Sequence, residues 1–448
     1  MAGSARRAAA EILAALEKKN SYGNLELKKY LVAHSLSSRD RGLVTQVVYG
    51  VLRHKLSLDF ALNNFLKKDI SRLKPPLRAL LRSGAYQILF LTKVPDSAAC
   101  DESVKLAKTL GFPGLAGLVN AVLRNLAGNR DRIPWPSPGG DPVDYLALTY
   151  SFPPWMVERW LSCFSLPEAE ELCRALNTPL PLSLRVNTLS ARREDVEEEL
   201  EGQGFQVRQG LLPETLRIGD SPTDLTSTPG YREGRFSIQG ETSALAARLL
   251  DPRPGQLVVD LCSAPGGKAA HLAQLMEDEG RVVAGDFHPH RRDLVQAAAK
   301  RLGLKSIEAR VWDARSLPPE LHGKAHRVLL DAPCSGLGVL GRKPDLKWQR
   351  NPKDFPALAR LQGEMLAEGV KLLRPEGLLL YSVCTNEPEE TGDLLSAFLR
   401  SHPRLEALSL TEALPRGLRA VPEGGGLHIY PHLQGSDGFY FALLGPKQ

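Results

Sequence analysis

The fold is decided by Val258-Val-Asp-Leu-Cys-Ser-Ala-Pro-Gly-Gly-Lys268, in which a short apolar run leads into a Pro-Gly-Gly turn. Glycines there let the backbone approach a ligand closely, and the N-terminus of a following helix favours negative charge. A P-loop would need Gly five positions before the Gly-Lys pair and Ser or Thr after it, but Cys262 and Ala269 stand there. The turn therefore predicts a ligand site of another kind at a strand end, with a purely structural turn as the alternative.

From about residue 241 the chain alternates short apolar runs with helical patterns. Runs of this kind, separated by helices, predict a parallel sheet that is buried on both faces, as in a Rossmann-like α/β domain. The predicted strands are residues 257–261, 281–286, 307–312, 327–330, 378–382 and 439–444. The predicted helices are residues 268–276, 291–302, 357–373 and 391–399.

Acidic residues follow the second and third of these strands, at Asp286 and Asp313. An acidic residue at the end of the second strand of such a fold can accept hydrogen bonds from ribose hydroxyls. One aspartate there is a weak signal, because aspartate often begins turns. Two of them, at the ends of consecutive strands after a glycine-rich turn, predict that an adenosine-type ligand binds in the crevice at this edge.

Cysteines stand at further strand ends, in Asp331-Ala-Pro-Cys334 and Tyr381-Ser-Val-Cys384, and Cys262 follows the first strand. A buried strand cysteine is usually inert packing, and that alternative stays open for each of them. Three cysteines just beyond the carboxyl ends of parallel strands, however, lie where open α/β sheets bind ligands. Their placement favours a functional role.

The segment after Cys334 continues as Ser-Gly-Leu-Gly-Val-Leu-Gly-Arg-Lys-Pro-Asp-Leu-Lys-Trp348. Its three glycines predict a pliable loop. Its cationic residues, Arg342, Lys343 and Lys347, predict that this loop is basic.

The N-terminal third, residues 1–132, has apolar residues at helical spacing and predicts an all-α bundle. Residues 1–130 hold 21 Lys and Arg against 9 Asp and Glu, a balance of +12, whereas the whole chain has a net charge of +6. A basic third on a mildly acidic remainder favours a nucleic-acid-binding module. Ordinary solvated helix faces are the alternative.

A stretch rich in proline and glycine, residues 133–142, indicates a linker. The helical patterns and short strands that follow predict a linker and small α+β domain at residues 143–240. The Rossmann-like domain then takes residues 241–448. The chain is thus predicted to be a multidomain protein of three parts.

Composition excludes several classes of protein. The cysteines show neither a CxxC pair nor zinc spacing, so no metal site is expected; they are Cys100, Cys163, Cys173, Cys262, Cys334 and Cys384. No apolar run reaches the roughly 18 residues of a membrane helix, and the N-terminus lacks the apolar core of a signal peptide. Scattered free thiols predict a cytoplasmic protein without a membrane partner.

The three cysteine motifs, in their order and spacing, resemble the signature segments of the RNA cytosine-5 methyltransferases of the Nol1/Nop2/Sun family. Several N-terminal segments resemble the helical domain shared with the antitermination factor NusB: Asp40-Arg41, Val48-Tyr-Gly-Val-Leu-Arg53, Val94-Pro95 and Val119-Asn-Ala-Val-Leu-Arg124. Leu184-Arg-Val-Asn187 looks like the start of the family's intermediate domain. The resemblance covers nearly the whole chain.

The resemblance implies S-adenosylmethionine as co-substrate and methyl transfer to C5 of a cytosine. It assigns covalent attack on C6 to Cys384, a part in product release to Cys334, and contact with the cytosine amino edge, the cofactor or both to Asp331. A NusB-like N-terminus is typical of the bacterial enzymes of the family that act on 16S ribosomal RNA, which is therefore the expected partner. The implied cofactor-binding residues are Cys262, Ser263, Ala264, Pro265, Gly266, Gly267, Lys268, Asp286, Asp313 and Asp331.

The chain departs from the family pattern at Ala269, where Thr is expected, and at Val383 and Thr385, where Thr and Ser are commoner. None of these departures removes a reacting group. One alternative is the same reaction at another ribosomal site or on transfer RNA, and another is an RNA-binding assembly factor without activity. A third is a DNA cytosine methyltransferase, which would place its nucleophile in the Pro-Cys segment and would not need Cys384.

Overall fold

The computed structural model describes residues 2–19, 22–219 and 224–447. The chain forms two compact units. We call Met1–Thr178 with Leu340–Arg350 the helical unit, and Pro179–Val339 with Asn351–Gln448 the sheet unit. The predicted order, an all-α N-terminal region followed by a small α+β region and a larger α/β region, is confirmed. In these described ranges no helix has both the length and the apolar character needed to cross a membrane.

The helical unit is built on a continuous apolar core. Pro75 and Pro76 begin one of its central helices, at positions where the missing proline N–H costs no hydrogen bond. Gly50 lets a second helix approach this one, because a Cβ there would overlap the ring of Tyr86. The helices are α1 (Ala2–Lys19), α2 (Gly23–Ala33), α3 (Ser38–Arg53), α4 (Lys55–Asn63), α5 (Pro75–Phe90), α6 (Asp96–Thr109), α7 (Ala116–Gly128), α8 (Pro142–Tyr150), α9 (Pro154–Cys163), α10 (Leu166–Asn177) and, from the later segment, α16 (Leu346–Gln349).

The sheet unit begins with a small antiparallel sheet in the strand order β2-β3-β1-β4. Its core includes Leu184, Val196, Leu216 and Phe236, all fully buried. These short strands agree with the small α+β region that the sequence analysis predicted. The elements are β1 (Leu182–Val186), α11 (Arg193–Gly202), β2 (Val207–Gln209), β3 (Thr215–Ile218), α12 (Pro229–Arg232) and β4 (Phe236–Ile238).

A larger mixed sheet follows, with the strand order β11-β12-β13-β9-β8-β5-β6-β7 and with β10 paired to β13. Strands β9, β8, β5, β6 and β7 are mutually parallel, as predicted, and β13 is antiparallel to β9. The strands are β5 (Leu257–Asp260), β6 (Arg281–Asp286), β7 (Ile307–Val311), β8 (Ala325–Asp331), β9 (Leu373–Val383), β10 (Leu405–Leu408), β11 (Val421–Glu423), β12 (Gly426–Ile429) and β13 (Phe439–Pro446). The helices are α13 (Glu241–Leu250), α14 (Gly267–Leu275), α15 (Pro289–Leu302), α17 (Asp354–Lys371), α18 (Gly392–Ser401) and α19 (Pro431–Gln434).

The segment Leu340–Arg350 leaves the sheet unit after the Cys334 loop and packs inside the helical unit. Trp348 donates its indole N–H to the Leu52 carbonyl at 2.6 Å. Asp345 accepts the amide of Gly23 at 3.0 Å, and the Arg53 guanidinium donates to the Gly341 carbonyl at 2.9 Å. The segment is therefore an internal part of the helical unit rather than a free loop.

The prediction that Lys347 belongs to an exposed basic loop is wrong. Its side chain is 1% exposed, so its charge is not offered to solvent. The ammonium donates to Asn177 Oδ1 at 2.5 Å and to the carbonyls of Ser151 and Arg53 at 3.1 and 3.2 Å. The ring of Phe152 lies 3.5 Å from it. Sequence spacing gave no sign that three distant oxygens would offset the cost of burying this charge.

We expect replacement of Lys347 by Met to lower the free energy of unfolding by about 3 kcal/mol, because three buried oxygens lose their hydrogen-bond donor. Thermal and urea unfolding followed by circular dichroism measure this loss. The matched control is Lys343→Met, which removes an exposed cation from the same segment and should change stability by less than about 0.5 kcal/mol. Equal stability of the two variants would contradict a structural role for Lys347.

Candidate active site

The predicted site residues follow the carboxyl ends of five neighbouring parallel strands. In spatial order these strands are β9, β8, β5, β6 and β7. Cys384 follows β9, Asp331 ends β8, Cys262 follows β5, Asp286 ends β6 and Asp313 follows β7. One edge of the sheet therefore collects the aspartates and the strand-end cysteines that the sequence analysis singled out.

The glycine-rich turn joins β5 to α14. Gly266 has a φ of 103°, in the left-handed region that favours glycine, and a Cβ there would press on α15 at 3.1 Å from Val295 Cα. The amide and hydroxyl of Ser263 both donate to the Gly285 carbonyl, at 2.8 and 2.9 Å. These contacts fix the turn against the end of β6.

Asp286 is 5% exposed and accepts the amide of Ala264 at 3.2 Å, so it also holds the glycine-rich turn. The Arg291 guanidinium lies 3.2 Å from its other oxygen. Sequence reasoning missed Arg291. Its position on the first turn of α15, just after an acidic strand end, was the available signal.

Asp313 is paired in a similar way. It accepts the amide of Arg315 at 3.0 Å and the guanidinium of the same residue at 2.6–3.2 Å. These hydrogen bonds lower the pKa of the Asp313 carboxyl. Both predicted carboxylates therefore have arginine partners at this edge of the sheet.

Lys268 and Asp331 connect the glycine-rich turn to β8. The ammonium of Lys268 lies 2.7 Å from Asp331 Oδ2, and the two side chains are 11% and 29% exposed. Ser382 donates its hydroxyl to the other carboxylate oxygen of Asp331 at 3.1 Å. Asp331 is thus held between the glycine-rich turn and β9, the strand that Cys384 follows.

Asp260 is a buried carboxyl that sequence reasoning used only as the end of the first strand. It is 0% exposed. Burial, reinforced by repulsion from Asp331, raises its pKa to about 8, so it keeps its proton at neutral pH. In the part of the chain that the structure describes, no donor meets either of its oxygens in full hydrogen-bond geometry, although the nearby Cys262 amide partly offsets the rise.

The sulfurs of Cys334 and Cys384 lie 3.3 Å apart. The hydrogen bond with Cys384 and then burial raise the pKa of the Cys334 thiol well above its usual value. The Gly338 amide donates to the Cys384 carbonyl at 3.0 Å, which ties the loop after β8 to the loop after β9. The structure therefore brings together two cysteines that are fifty positions apart in the chain.

Cys262 is placed differently from this pair. Burial raises the pKa of its thiol, and neighbouring carboxyl groups add to the rise. Such a thiol is a poor nucleophile and is suited to packing beside the turn. Within the described ranges, the structure shows no group of three His, Cys, Asp or Glu residues arranged to hold a metal ion.

Five parallel strands, with a glycine-rich turn after β5 and acidic residues after β6 and β7, are typical of S-adenosylmethionine-dependent methyltransferases. Family models agree with this class and divide the chain in the same order. The model for the NusB family matches residues 3–128. The ferredoxin-like domain of RsmF/B-like methyltransferases matches residues 152–225, and 16S rRNA methyltransferase RsmB/F matches residues 247–445.

Whole-length relatives lead to the same family. The probable ribosomal RNA small subunit methyltransferase B of Bacillus subtilis is 39% identical over 99% of each chain. Its namesake from Synechocystis is 34% identical over 98% of this chain and 99% of the relative. A crystal structure of PH0851 superposes with a TM-score of 0.83, at 28% identity, and covers 99% of this chain and 98% of that one.

The chain belongs to the ribosomal RNA small subunit methyltransferase B family of S-adenosylmethionine-dependent enzymes. The resemblance that the sequence motifs indicated is thereby confirmed.

Proposed function

We propose that this protein transfers a methyl group from S-adenosylmethionine to C5 of one cytosine in 16S ribosomal RNA, through a covalent bond between Cys384 and C6. The observation that carries the proposal is the contact of the Cys334 and Cys384 sulfurs at 3.3 Å, at the carboxyl ends of neighbouring parallel strands. The names of the full-length relatives support the ribosomal substrate. A ribosomal substrate places the enzyme in the cytoplasm.

The residues of the glycine-rich turn fit the cofactor. The buried carboxyl of Asp260, which ends the strand before this turn, meets no donor in full hydrogen-bond geometry among the described residues. We assign the turn from Cys262 to Lys268 to cofactor binding, with Asp286 and Asp313 as acceptors for its hydroxyl and amino groups. When bound, S-adenosylmethionine supplies a methyl group activated by a positively charged sulfur.

Cytosine C5 is a poor nucleophile, and a thiolate changes this. Cys384 forms a carbon–sulfur bond at C6, and the electrons of the C5–C6 double bond become available at C5. C5 then takes the methyl group as the methyl–sulfonium bond breaks, with S-adenosylhomocysteine as the leaving group. A base then removes the C5 proton, the double bond re-forms, and the carbon–sulfur bond breaks. These steps return Cys384 to a free thiolate.

Cys334 is suited to the last of these steps. Its raised pKa keeps it a thiol at neutral pH, and as a thiol it is able to donate to the Cys384 sulfur 3.3 Å away. A thiol donor stabilises negative charge on Cys384 as that sulfur leaves. Asp331, fixed by Lys268 and Ser382, is placed to accept a hydrogen bond from the cytosine amino group or from the cofactor.

The target base must be unpaired or flipped out of its stack. The helical unit is the proposed source of RNA affinity, because the first 130 residues hold 21 Lys and Arg against 9 Asp and Glu. Exposed lysines such as Lys67, Lys68 and Lys74 are available to phosphates. The chemistry, in contrast, belongs to the sheet unit.

The proposed substrate is tested by incubating the protein with radiolabelled S-adenosylmethionine and total bacterial RNA from cells that lack the corresponding gene. We expect label in 16S ribosomal RNA at a single cytosine, located by bisulfite sequencing. Label confined to transfer RNA or to another ribosomal RNA would replace the substrate and leave the reaction in place. Absence of label from every RNA, including assembling ribosomal particles, would favour a binding role without catalysis.

Asp286→Ala tests the cofactor site. Loss of charge-assisted hydrogen bonds should cost about 1.5–3 kcal/mol of binding free energy, or roughly a 10- to 150-fold rise in the Kd for S-adenosylmethionine. Isothermal calorimetry measures this value. The control is Asp293→Ala on α15, whose side chain is 62% exposed and which should bind as the unmodified protein does. An unchanged Kd in Asp286→Ala would remove this residue from the site.

Replacing Cys384 and replacing Cys334 should impair different steps of the reaction. Cys384→Ala removes the nucleophile, so turnover should fall by about 10⁴-fold or more, with no covalent bond to RNA. Cys334→Ala should still permit attack and methyl transfer but slow release, so that a protein–RNA adduct persists in denaturing electrophoresis. The control is Cys163→Ala, which removes an exposed thiol.

Normal turnover in both variants, with no adduct, would mean that the two cysteines only pack. An adduct in Cys384→Ala but not in Cys334→Ala would reverse the two roles. The second result would match the mechanism expected of a DNA cytosine methyltransferase.

A further inference from the structure

A buried polar network lies behind Cys334, and the reaction scheme does not use it. Gln362, on α17, is 0% exposed. Its amide nitrogen donates to the Pro333 carbonyl at 2.9 Å and to Glu390 Oε2 at 2.8 Å. Glu390, in the 3₁₀ turn Pro388–Glu390, is also 0% exposed. A glutamine and a glutamate from two different elements thus meet in the interior of the sheet unit.

The network holds the backbone on both sides of Cys334. The carbonyl of Pro333, just before the cysteine, accepts from Gln362. The amide of Ser335, just after it, donates to Glu390 Oε2 at 2.9 Å. Two hydrogen bonds to adjacent residues leave the intervening Cys334 little freedom to rotate about its backbone.

The same network reaches the loop that carries Cys384. The hydroxyl of Ser335 donates to Thr385 Oγ1 at 2.9 Å, so the residues that follow the two cysteines are bonded to each other. Tyr381, three positions before Cys384, donates its hydroxyl to Gln362 Oε1 at 3.1 Å and to the Glu390 carbonyl at 2.7 Å. The loops of Cys334 and Cys384 are therefore both connected by hydrogen bonds to the pair Gln362 and Glu390.

Packing alone does not require these groups. A buried carboxylate carries a large desolvation cost, and apolar side chains of similar volume would fill the same space at least as favourably. Apolar side chains are non-directional, however, whereas hydrogen bonds to the backbone fix the orientation of a loop. Glu390 also adds to the rise in the Cys334 pKa, which keeps this sulfur in its thiol form.

We propose that Glu390 and Gln362 are positioning residues, which hold the loop of Cys334 so that its thiol stays within reach of Cys384. The proposal rests on the proposed function for its purpose, since only a two-cysteine reaction needs this distance. The distance itself is measured without the reaction.

The test is oxidation of the full-length protein by diamide, a diazene that accepts two hydrogens and links two adjacent thiols as a disulfide. After quenching with acid and an alkylating reagent, peptide mapping by mass spectrometry gives the rate at which Cys334 joins Cys384. The sulfurs must close to about 2.05 Å in a narrow range of dihedral angles, so the rate should fall about tenfold or more in Gln362→Leu and in Glu390→Ala.

Two variants serve as controls. Glu390→Gln keeps an oxygen for the Ser335 amide and for Gln362, and we expect its cross-linking to stay close to that of the unmodified protein. Glu364→Gln removes a carboxylate from α17, the helix that carries Gln362. The Glu364 side chain is 48% exposed, so this variant should leave the cross-linking rate unchanged. Thermal unfolding shows which variants keep their fold.

Thr385→Val removes the hydrogen bonds that Thr385 accepts from Ser335 and from the Glu387 amide. It leaves the buried Glu390 carboxylate in place, so it remains informative if the other variants unfold. A smaller slowing in the same direction supports the proposal. The proposal would be overturned if folded Gln362→Leu, Glu390→Ala or Thr385→Val cross-linked at the same rate as the unmodified protein. A failure to methylate any RNA would overturn the proposed function instead, because the cross-linking rates do not depend on turnover.

Discussion

The parallel register of β8 and β9 is the constraint on which the candidate site depends. It pairs Asp331 with Ser382, so the chain leaves both strands at the same level of the sheet. Cys334 then lies three positions beyond one partner, and Cys384 lies two positions beyond the other. A slip of one residue would turn every side chain of a strand to the opposite face and separate the sulfurs. The hydrogen bond from the Ser382 hydroxyl to Asp331, at 3.1 Å, is specific to this register.

Much of the sheet unit could be predicted from the sequence, because the relevant signals are local. Each parallel strand is a short apolar run, and each functional group comes within a few residues of its end. The order in which such strands meet follows from few permitted topologies. A reader of the sequence can therefore place Asp286, Asp331 and Cys384 at one edge before any contact is known. The family resemblance adds roles to these positions, and the fold gives them a common location.

The parts that escaped prediction depend on contacts between distant segments. Strands β10, β11 and β12 are short and depend on pairing with β13 or with each other, so their own residues give a weak pattern. Lysine is a residue type that is usually exposed, and the burial of Lys347 is explained by its hydrogen bonds to Asn177 and to two carbonyls. Gln362 and Glu390 carry no motif. Their importance arises where α17, β9 and the loop of Cys334 converge, which no single stretch of sequence shows.

The segment Leu340–Arg350 has a consequence for synthesis of the chain. The helical unit begins at the N-terminus, but one of its internal parts is made about 160 residues after Thr178. At roughly 5–20 residues per second, the ribosome needs roughly 10 to 30 seconds to supply that part. During this interval the carbonyls that receive the Lys347 ammonium must stay hydrated. The helical unit is therefore incomplete until residues 179–339 of the sheet unit have also been made.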